Sequence, residues 1–395
     1  MQKLFELSNR KKKLVIGIMS GTSLDGVDLA LVEINGCSAD TSFRLIEYLE
    51  YPFPEGFKEL VIKNSSALAS SVEDICRLNF LIPQIYCDGI AALTKKSGIK
   101  LQDIDLIGSH GQTIHHLPEP HRMFGYDVRS TLQIGDPSVI AKLTGIITVG
   151  DFRVDDIALN GQGAPLVPYF DYITFRSRDV SRALLNIGGI SNFSIIPASA
   201  GIGEIMAFDT GPGNMIIDAL ARHYYSVPYD EGGVHALNGS IRPDILEYMK
   251  DKDGYIEKAP PKSTGRELYG ESYIYELLNS FPDASAEDML AAAAEFTAYA
   301  VYRNYEKFIL PHTRIDELII SGGGARNEYI VSALARYFGK GVKLMDAQQT
   351  GVSSDAKEAI CFAILANELL SEQCANVPAV TGASRPALLG KICLP

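Results

Sequence analysis

Two stretches of the chain open in the same way, and this repetition limits the fold more than any other feature. An apolar run from Leu14 to Met19 meets Ser-Gly-Thr-Ser-Leu-Asp-Gly, and a second apolar run follows from Val27 to Ile34. Two short β-prone runs joined by Gly, Ser and Asp predict a hairpin. Phe43 to Glu50 predicts a third antiparallel strand. Further on, Ala183 to Ile187, the turn Gly188-Gly189, and Ile190 to Ile196 repeat the hairpin. Glu204 to Phe208 supplies its third strand and runs into Asp209.

Each half then returns to strand and helix. In the first, residues 72–96 have helical spacing. Leu101 to Ser109 reads as a strand entering Gly108-Ser109-His110-Gly111. Leu132 to Ile134, a helix from Pro137, and Ile146 to Val149 complete it. In the second, residues 286–310 are helical and Ile315 to Ser321 is a buried strand ending in Gly322-Gly323-Gly324. A helix from Asn327 and a strand from Val342 to Met345 follow. The last helix, 354–370, is amphipathic, with Ala356, Ala359, Ile360, Ala363 and Ile364 on one face. The repetition predicts a duplicated α/β fold with mixed sheets. Its lobes are expected at 1–178 and 179–395, with a cleft between them.

Charge narrows the partners. The 395 residues carry 36 Lys+Arg and 48 Asp+Glu, a net charge of −12. Binding to nucleic acid or to an anionic membrane needs clustered cations, so both are disfavoured. The six cysteines form no CxxC pair, which predicts reduced thiols and no zinc site. The basic run Arg10 to Lys13 precedes only six apolar residues, too few for a signal-peptide core or a membrane span. The expected location is therefore cytoplasmic. An anionic substrate would have to be met by a few local cations, with Arg153, Lys262 and Arg266 as candidates, and by glycine N–H groups.

Three glycine turns stand at strand ends, where backbone N–H groups can converge on phosphate oxygens. They are Gly21 to Gly26, Asn186-Ile187-Gly188-Gly189, and Gly322-Gly323-Gly324. Gly21 and Gly26 have P-loop spacing, but Val27 and Asp28 stand where the lysine should be. No dinucleotide fingerprint is complete, because Leu166, Ile216 and Asn327 occupy the third glycine positions. Asp25 or Asp28 could hold Mg²⁺ through water, or could simply cap the turn. Asp209, delivered by an apolar strand to Thr-Gly-Pro-Gly, is placed either as a general base or as a cap for the next helix. His110, Arg153, Gln162, Gly163 and Glu358 are further polar candidates. His115, His116 and His121 match no zinc spacing. Neither a Gly-x-Ser-x-Gly elbow nor His-Glu-x-x-His occurs, which leaves phosphoryl transfer as the favoured chemistry.

The ordered set of motifs resembles the anhydro-N-acetylmuramic acid kinase family over nearly the whole chain. It comprises Met19 to Asp28, Gly108 to Thr113, Asp151 to Arg153, Gly161 to Leu166, Asn186 to Gly189, Phe208 to Asn214, Lys262 to Arg266, Ser321 to Gly324 and Val380 to Ala383. The resemblance implies a two-lobed, actin-like (ribonuclease H-like) sugar-kinase fold. It also implies ATP as co-substrate, Mg²⁺, and a reaction that opens a 1,6-anhydro ring with water and phosphorylates O6, in cell-wall recycling. The family's base falls on Asp209. Its ATP segment falls on Gly21, Thr22, Ser23, Leu24, Asp25, Gly26, Val27 and Asp28, joined by Asn186, Gly188, Gly189, Gly322, Gly323 and Gly324. Asp25 is the implied Mg²⁺ residue, acting through water. His110, Arg153, Gln162, Gly163 and Glu358 match positions near the sugar. A homodimer is a candidate assembly. Two positions depart from the family pattern: Asp155 replaces a basic residue found in many members, and Asn160 replaces a second glycine. Levoglucosan kinase varies in this same loop and is the alternative reading. An actin-like ATPase regulated by a protein partner is a third.

Overall fold

The computed structural model describes residues 2–21, 24–351, 353 and 355–395. Their strands are β1 (Lys12–Ser20), β2 (Gly26–Asn35), β3 (Ser42–Pro52), β4 (Leu106–Met123), β5 (Tyr126–Ile134), β6 (Thr148–Gly150), β7 (Arg182–Ile187), β8 (Ile190–Ile196), β9 (Met206–Pro212), β10 (Glu317–Ser321), β11 (Lys343–Asp346) and β12 (Lys391–Cys393). One sheet runs β12-β6-β4-β1-β2-β3, with β5 hung on β4, and the other runs β11-β10-β7-β8-β9.

The repetition seen in the sequence is a repetition of topology. In the first sheet β1, β2 and β3 form an antiparallel meander, and β4 then β6 add in parallel beside β1. In the second, β7, β8 and β9 form the meander, and β10 then β11 add in parallel beside β7. The chain is therefore a duplicated α/β fold with two mixed sheets of one shared order, the ribonuclease H-like plan of actin-like proteins. The central strands are nearly continuous apolar runs, as expected for strands covered on both faces. Val15, Ile16 and Ile18 of β1, and Ala183, Leu185 and Ile187 of β7, are fully buried.

The compact units differ from the expected lobes. One consists of Met1–Thr174 together with Asp355–Pro395, and the other of Phe175–Ser354. Residues 355–395 thus return to the first unit, against the expected 179–395 lobe. The physical reason is the helix Lys357–Leu370. Gly17 of β1 and Gly108 of β4 are register partners, and the helix backbone lies directly on them. A Cβ on Gly17 would fall 1.8 Å from the Ala359 carbonyl oxygen, and one on Gly108 would fall 2.1 Å from that of Phe362. The helix is also not amphipathic. Cys361, Phe362 and Leu365 are as buried as the expected apolar face. The chain then ends in β12, which pairs antiparallel with β6.

A second correction concerns Gly108 to Gly111. The strand expected to end at Ser109 runs on through this segment as β4, which bends there, with Gly111 at φ 77° and a shift of register against β1. β4 continues to Met123 and pairs back with β5. The prolines at 118 and 120, with the charged Glu119, Arg122, Asp127 and Arg129, conceal this hairpin from a reading of hydrophobic period.

Because the helix sits on bare backbone, Gly17→Ala and Gly108→Ala should each cost roughly 1–3 kcal/mol or more. Thermal melts should show both well below wild type. Gly203→Ala, where a Cβ meets nothing within 4 Å, should melt like wild type. Equal melting of all three would contradict the close seating.

Candidate active site

In the second unit, Asp209 lies within β9, opposite Asn192 of β8. The strand end beyond it is held from several sides. Thr210 Oγ1 is 2.6 Å from Ser191 Oγ, Asn304 Nδ2 donates to the Thr210 carbonyl (2.8 Å), and Thr297 Oγ1 donates to the Gly213 carbonyl (2.9 Å). Asp209 itself is fixed by the loop 253–264. The Thr264 N–H donates to Asp209 Oδ2 (2.9 Å), and the Tyr255 hydroxyl donates to the Asp209 carbonyl (3.1 Å). In return, the Asp209 N–H donates to the Lys262 carbonyl (3.2 Å). Burial pushes the Asp209 carboxyl up to about 6, with the Thr264 N–H and the Lys262 ammonium opposing the rise and Glu267 adding to it. A carboxyl tuned near neutrality, with one oxygen held and the strand end rigid, suits a general base. It does not cap the following helix, Met215–Tyr225, whose N-cap is Asn214. Thr264 Oγ1 is buried without a hydrogen-bond partner among the described residues.

The glycine turns of this unit divide into two kinds. A Cβ on Gly322 would meet the Ile187 carbonyl oxygen at 2.6 Å, and one on Gly324 would meet Ile187 Cγ2 at 2.3 Å. Both glycines permit close packing within the protein, and Gly322 also needs its φ of 82°. At Gly188, Gly189 and Gly323 the nearest atoms would be 3.6, 3.4 and 3.5 Å away. These three are not demanded by packing, so their small size is open to a ligand. The carbonyls of Gly188 and Gly189 accept the N–H groups of Gly213, Asn214 and Met215 at 2.7 to 3.1 Å. That helix start therefore serves the hairpin turn. Asn186 Oδ1 lies 3.4 Å from Ser321 Oγ, tying the two turns together.

In the first unit, Thr22 and Ser23 fall outside the described residues. Around them, the Ser20 hydroxyl bonds Gln112 Oε1, and Gln112 Nε2 donates to the Gly21 carbonyl (3.3 Å). Leu24 and Val27 bury their side chains in the core, so only their backbone can face a ligand. Asp25 is largely exposed and pairs with Lys58 (2.9 Å). Gly26 and Asp28 lie in β2, where the Asp28 carboxyl accepts from the Tyr48 hydroxyl and is raised chiefly by burial, with Glu50 and Asp355 adding like charge.

Three of the expected sugar-side residues are directly joined. Arg153 donates from Nε (3.0 Å) and Nη2 (2.9 Å) to His110 Nε2, and from Nη1 to the Gly163 carbonyl (2.8 Å). His110 Nδ1 bonds the Gly111 carbonyl (2.8 Å). That arrangement fixes the neutral tautomer with the proton on Nδ1. Burial, then Arg153, pushes the imidazole down to about 3. His110 is therefore a fixed acceptor and carries no proton for catalysis. Glu358 opens the helix Lys357–Leu370. Its carboxyl is raised by burial and by Asp28, and lowered by Arg153 and Lys357.

The support beneath this group is invisible in the sequence. Asp156, fully buried, accepts from the Gly163 N–H (2.8 Å), Asn376 Nδ2 (2.9 Å) and Thr381 Oγ1 (2.7 Å). The exposed Gln162 donates its own N–H to the Thr381 carbonyl (2.8 Å). Only the nearby Val380 to Ala383 motif hints at this partnership. Asp155 accepts from the Gly390 N–H (2.8 Å), so it serves the C-terminal segment. Asn160 adopts φ 65°, a conformation natural to glycine and tolerated by Asn. Among the described residues no three His, Cys, Asp or Glu side chains gather as a metal site, and all six cysteines are free.

A family model described as Anhydro-N-acetylmuramic acid kinase matches residues 13–395. The chain is 43% identical over 398 residues to the Anhydro-N-acetylmuramic acid kinase of Caldanaerobacter subterraneus subsp. tengcongensis, with 100% of both chains covered. It is 42% identical over 397 residues to the protein of the same name from Salinibacter ruber, again with 100% of both covered. Among solved structures, the activator of the 2-hydroxyisocaproyl-CoA dehydratase from Clostridium difficile aligns with TM-score 0.42 at 12% identity, over 91% of this chain and 96% of that one.

The raised carboxyl of Asp209 has a consequence for stability. A folded pKa of about 6 lies above the ordinary carboxylate value of 3.8. The folded state therefore binds that proton more tightly than the unfolded state, and stability falls as pH rises from 4 through 6. Asp209→Asn removes the ionisation and keeps an acceptor for the Thr264 N–H. It should melt above wild type at pH 8, by up to about 3 kcal/mol, with the gap closing as pH falls towards 4. A gap that does not change with pH would refute the burial of that charge.

Proposed function

Because the chain belongs to the anhydro-N-acetylmuramic acid kinase family, we propose that it opens 1,6-anhydro-N-acetylmuramic acid with water and transfers the γ-phosphoryl group of ATP to O6. The product is N-acetylmuramic acid 6-phosphate, an intermediate of cell-wall recycling. The observation that carries the reading is Asp209, a fixed, half-buried carboxyl near neutrality within β9.

Asp209 takes a proton from water as the water oxygen bonds to C1. The C1–O6 bond breaks, O6 attacks the γ-phosphorus, and ADP leaves. Arg153, held rigid by His110 and the Gly163 carbonyl, and Glu358, on the buried helix, are assigned to the sugar with Gln162 and Gly163. Holding reactants in fixed geometry accounts for much of the rate of such transfers. Gly188, Gly189 and Gly323, which leave room over their backbone, are assigned to ATP with Asn186, Gly322, Gly324 and the 21–28 segment. Mg²⁺, when bound, supplies charge neutralisation at the phosphoryl oxygens. Asp25 is assigned to it through water, since its present partner, Lys58, is an exposed ion pair of little worth.

The anhydromuramic sugar is favoured over levoglucosan on one point. Asp155, the acid that fits a lactyl carboxylate least well, is engaged by the Gly390 N–H. No helix among the described residues is long and apolar enough to cross a membrane. We place the enzyme in the cytoplasm, where ATP is available. Light scattering decides between a monomer and a homodimer.

Incubation with ATP in ¹⁸O-water should place label at C1 of the product, and unlabelled C1 would refute the ring opening. Turnover of the anhydromuramic sugar should exceed that of levoglucosan, and the reverse order would move the assignment to the plain anhydrosugar. Asp209→Asn should keep nucleotide affinity and lose turnover by roughly 10²–10⁴-fold, whereas a near-wild-type rate would remove Asp209 from the mechanism.

A further inference from the structure

We propose that Lys262 is a positioning residue for Asp209, pinning the loop that holds the carboxylate and carrying a fixed positive charge beside it. This rests on Asp209 being the base. By residue type Lys262 is a candidate for phosphate, but its ammonium is turned into its own loop. Nζ donates to the carbonyls of Tyr255 (3.2 Å) and Ile256 (3.0 Å). The same atom lies 4.7 Å from the Tyr255 ring centroid, 5.0 Å from that of Phe308 and 5.9 Å from that of Phe208. Three aromatic faces and two carbonyls make a box for a cation.

Two of the three rings lead to Asp209. Phe208 precedes it in β9. The hydroxyl of Tyr255 holds its carbonyl, the carbonyl of Lys262 takes its N–H, and Thr264, two residues along, bonds its carboxylate. The loop start is anchored separately. Asp253 Oδ1 accepts from the N–H groups of Tyr255 (2.8 Å) and Ile256 (3.0 Å), and its Oδ2 from the Tyr269 hydroxyl (2.7 Å). The ammonium therefore joins the anchored half of the loop, 253–256, to the half that contacts the carboxylate, 262–264. An apolar side chain could fill the box, but it could bond neither carbonyl.

The charges around the pair act in defined directions. Burial pushes the Lys262 ammonium down to about 8, helped by Lys307 and opposed by Asp253, Glu257 and Asp209. On Asp209, Lys262 opposes the rise and Glu267 supports it. A base near 6 and a supporting cation near 8 bracket the pH range in which the arrangement is both ionised and pinned. Outside that range, either the base is protonated or the pin loses its charge.

The test compares Lys262→Met, which keeps the bulk, with Lys262→Arg, which keeps the charge across the pH range. Steady-state kinetics from pH 5 to 9.5 should show Lys262→Met reduced in kcat by roughly 10–100-fold, with the KM for ATP within about twofold. Its acid limb should move up from about 6 by half a pH unit or more. Lys262→Arg should keep the wild-type acid limb and lose the alkaline limb near 8. A rise in the KM for ATP with an unmoved acid limb would make Lys262 a phosphate contact and overturn the proposal, as would wild-type kinetics in Lys262→Met. The Asp209 carboxyl can also be titrated directly by ¹³C NMR, assigned by its loss in Asp209→Asn. That titration needs no substrate, so it judges the Lys262 proposal even if the sugar-kinase reading fails. If Lys262→Met does not fold, Lys262→Arg and the wild-type titration still decide.

Discussion

The first unit depends on one contact, the backbone of the helix Lys357–Leu370 lying on Gly17 and Gly108. A sheet with ordinary side chains at both positions would hold a helix several ångströms further out. The two glycines, side by side on adjacent parallel strands, remove that layer. The helix is in consequence buried continuously from Ala359 to Glu368. It carries Glu358 at its start and, near its end, the fully buried Glu368, held by the Ser38 N–H (2.8 Å), Thr41 Oγ1 (3.1 Å) and the Tyr169 hydroxyl (3.1 Å). The same seating brings Asn376 and Thr381 to Asp156, and so gives the Gly161 to Gly163 turn its support. A contact between the ends of the sequence thus sets the loop that carries Gly163, whose carbonyl orients Arg153.

The duplicated plan is legible in the sequence because its signal is local: apolar runs, a glycine turn, then a return strand, twice in one order. Asp209 is legible for the same reason, as a lone carboxylate at the end of an apolar strand. The hidden features depend on contacts between distant residues. Nothing near Gly17 indicates that Ala359 will lie on it, so chain order alone places residues 355–395 in the wrong unit. The hairpin of β4 and β5 is obscured by Pro118, Pro120 and charged residues, which suit an exposed ribbon but break its period. Gly322 and Gly324 look like phosphate-cradling glycines, and only the Ile187 atoms against them reveal a packing role.

The cations also have a role that the sequence does not show. In an acidic chain, Arg153 and Lys262 look like the groups that meet anionic substrates. Both also bond protein carbonyls, and Arg153 bonds a neutral histidine as well. A guanidinium already fixed by three hydrogen bonds reaches a ligand with less loss of side-chain entropy than a free one. These two charges hold protein backbone in place.

Asp209 shows why such rigidity is needed. Burial raises its pKa, which makes it a stronger base when ionised and also makes the ionised form costly to keep. One backbone N–H and one nearby ammonium partly offset that cost. More hydrogen bonds to the carboxylate would stabilise the charge further and weaken the base. The site has to hold the carboxylate still with few direct bonds, and the loop does this by gripping the backbone on either side. The Tyr255 hydroxyl on the Asp209 carbonyl, the Lys262 carbonyl on its N–H, and Asn304 on the next carbonyl fix its position without adding bonds to the carboxylate. A loop that grips backbone needs its own internal brace, and the ammonium among three aromatic rings is that brace.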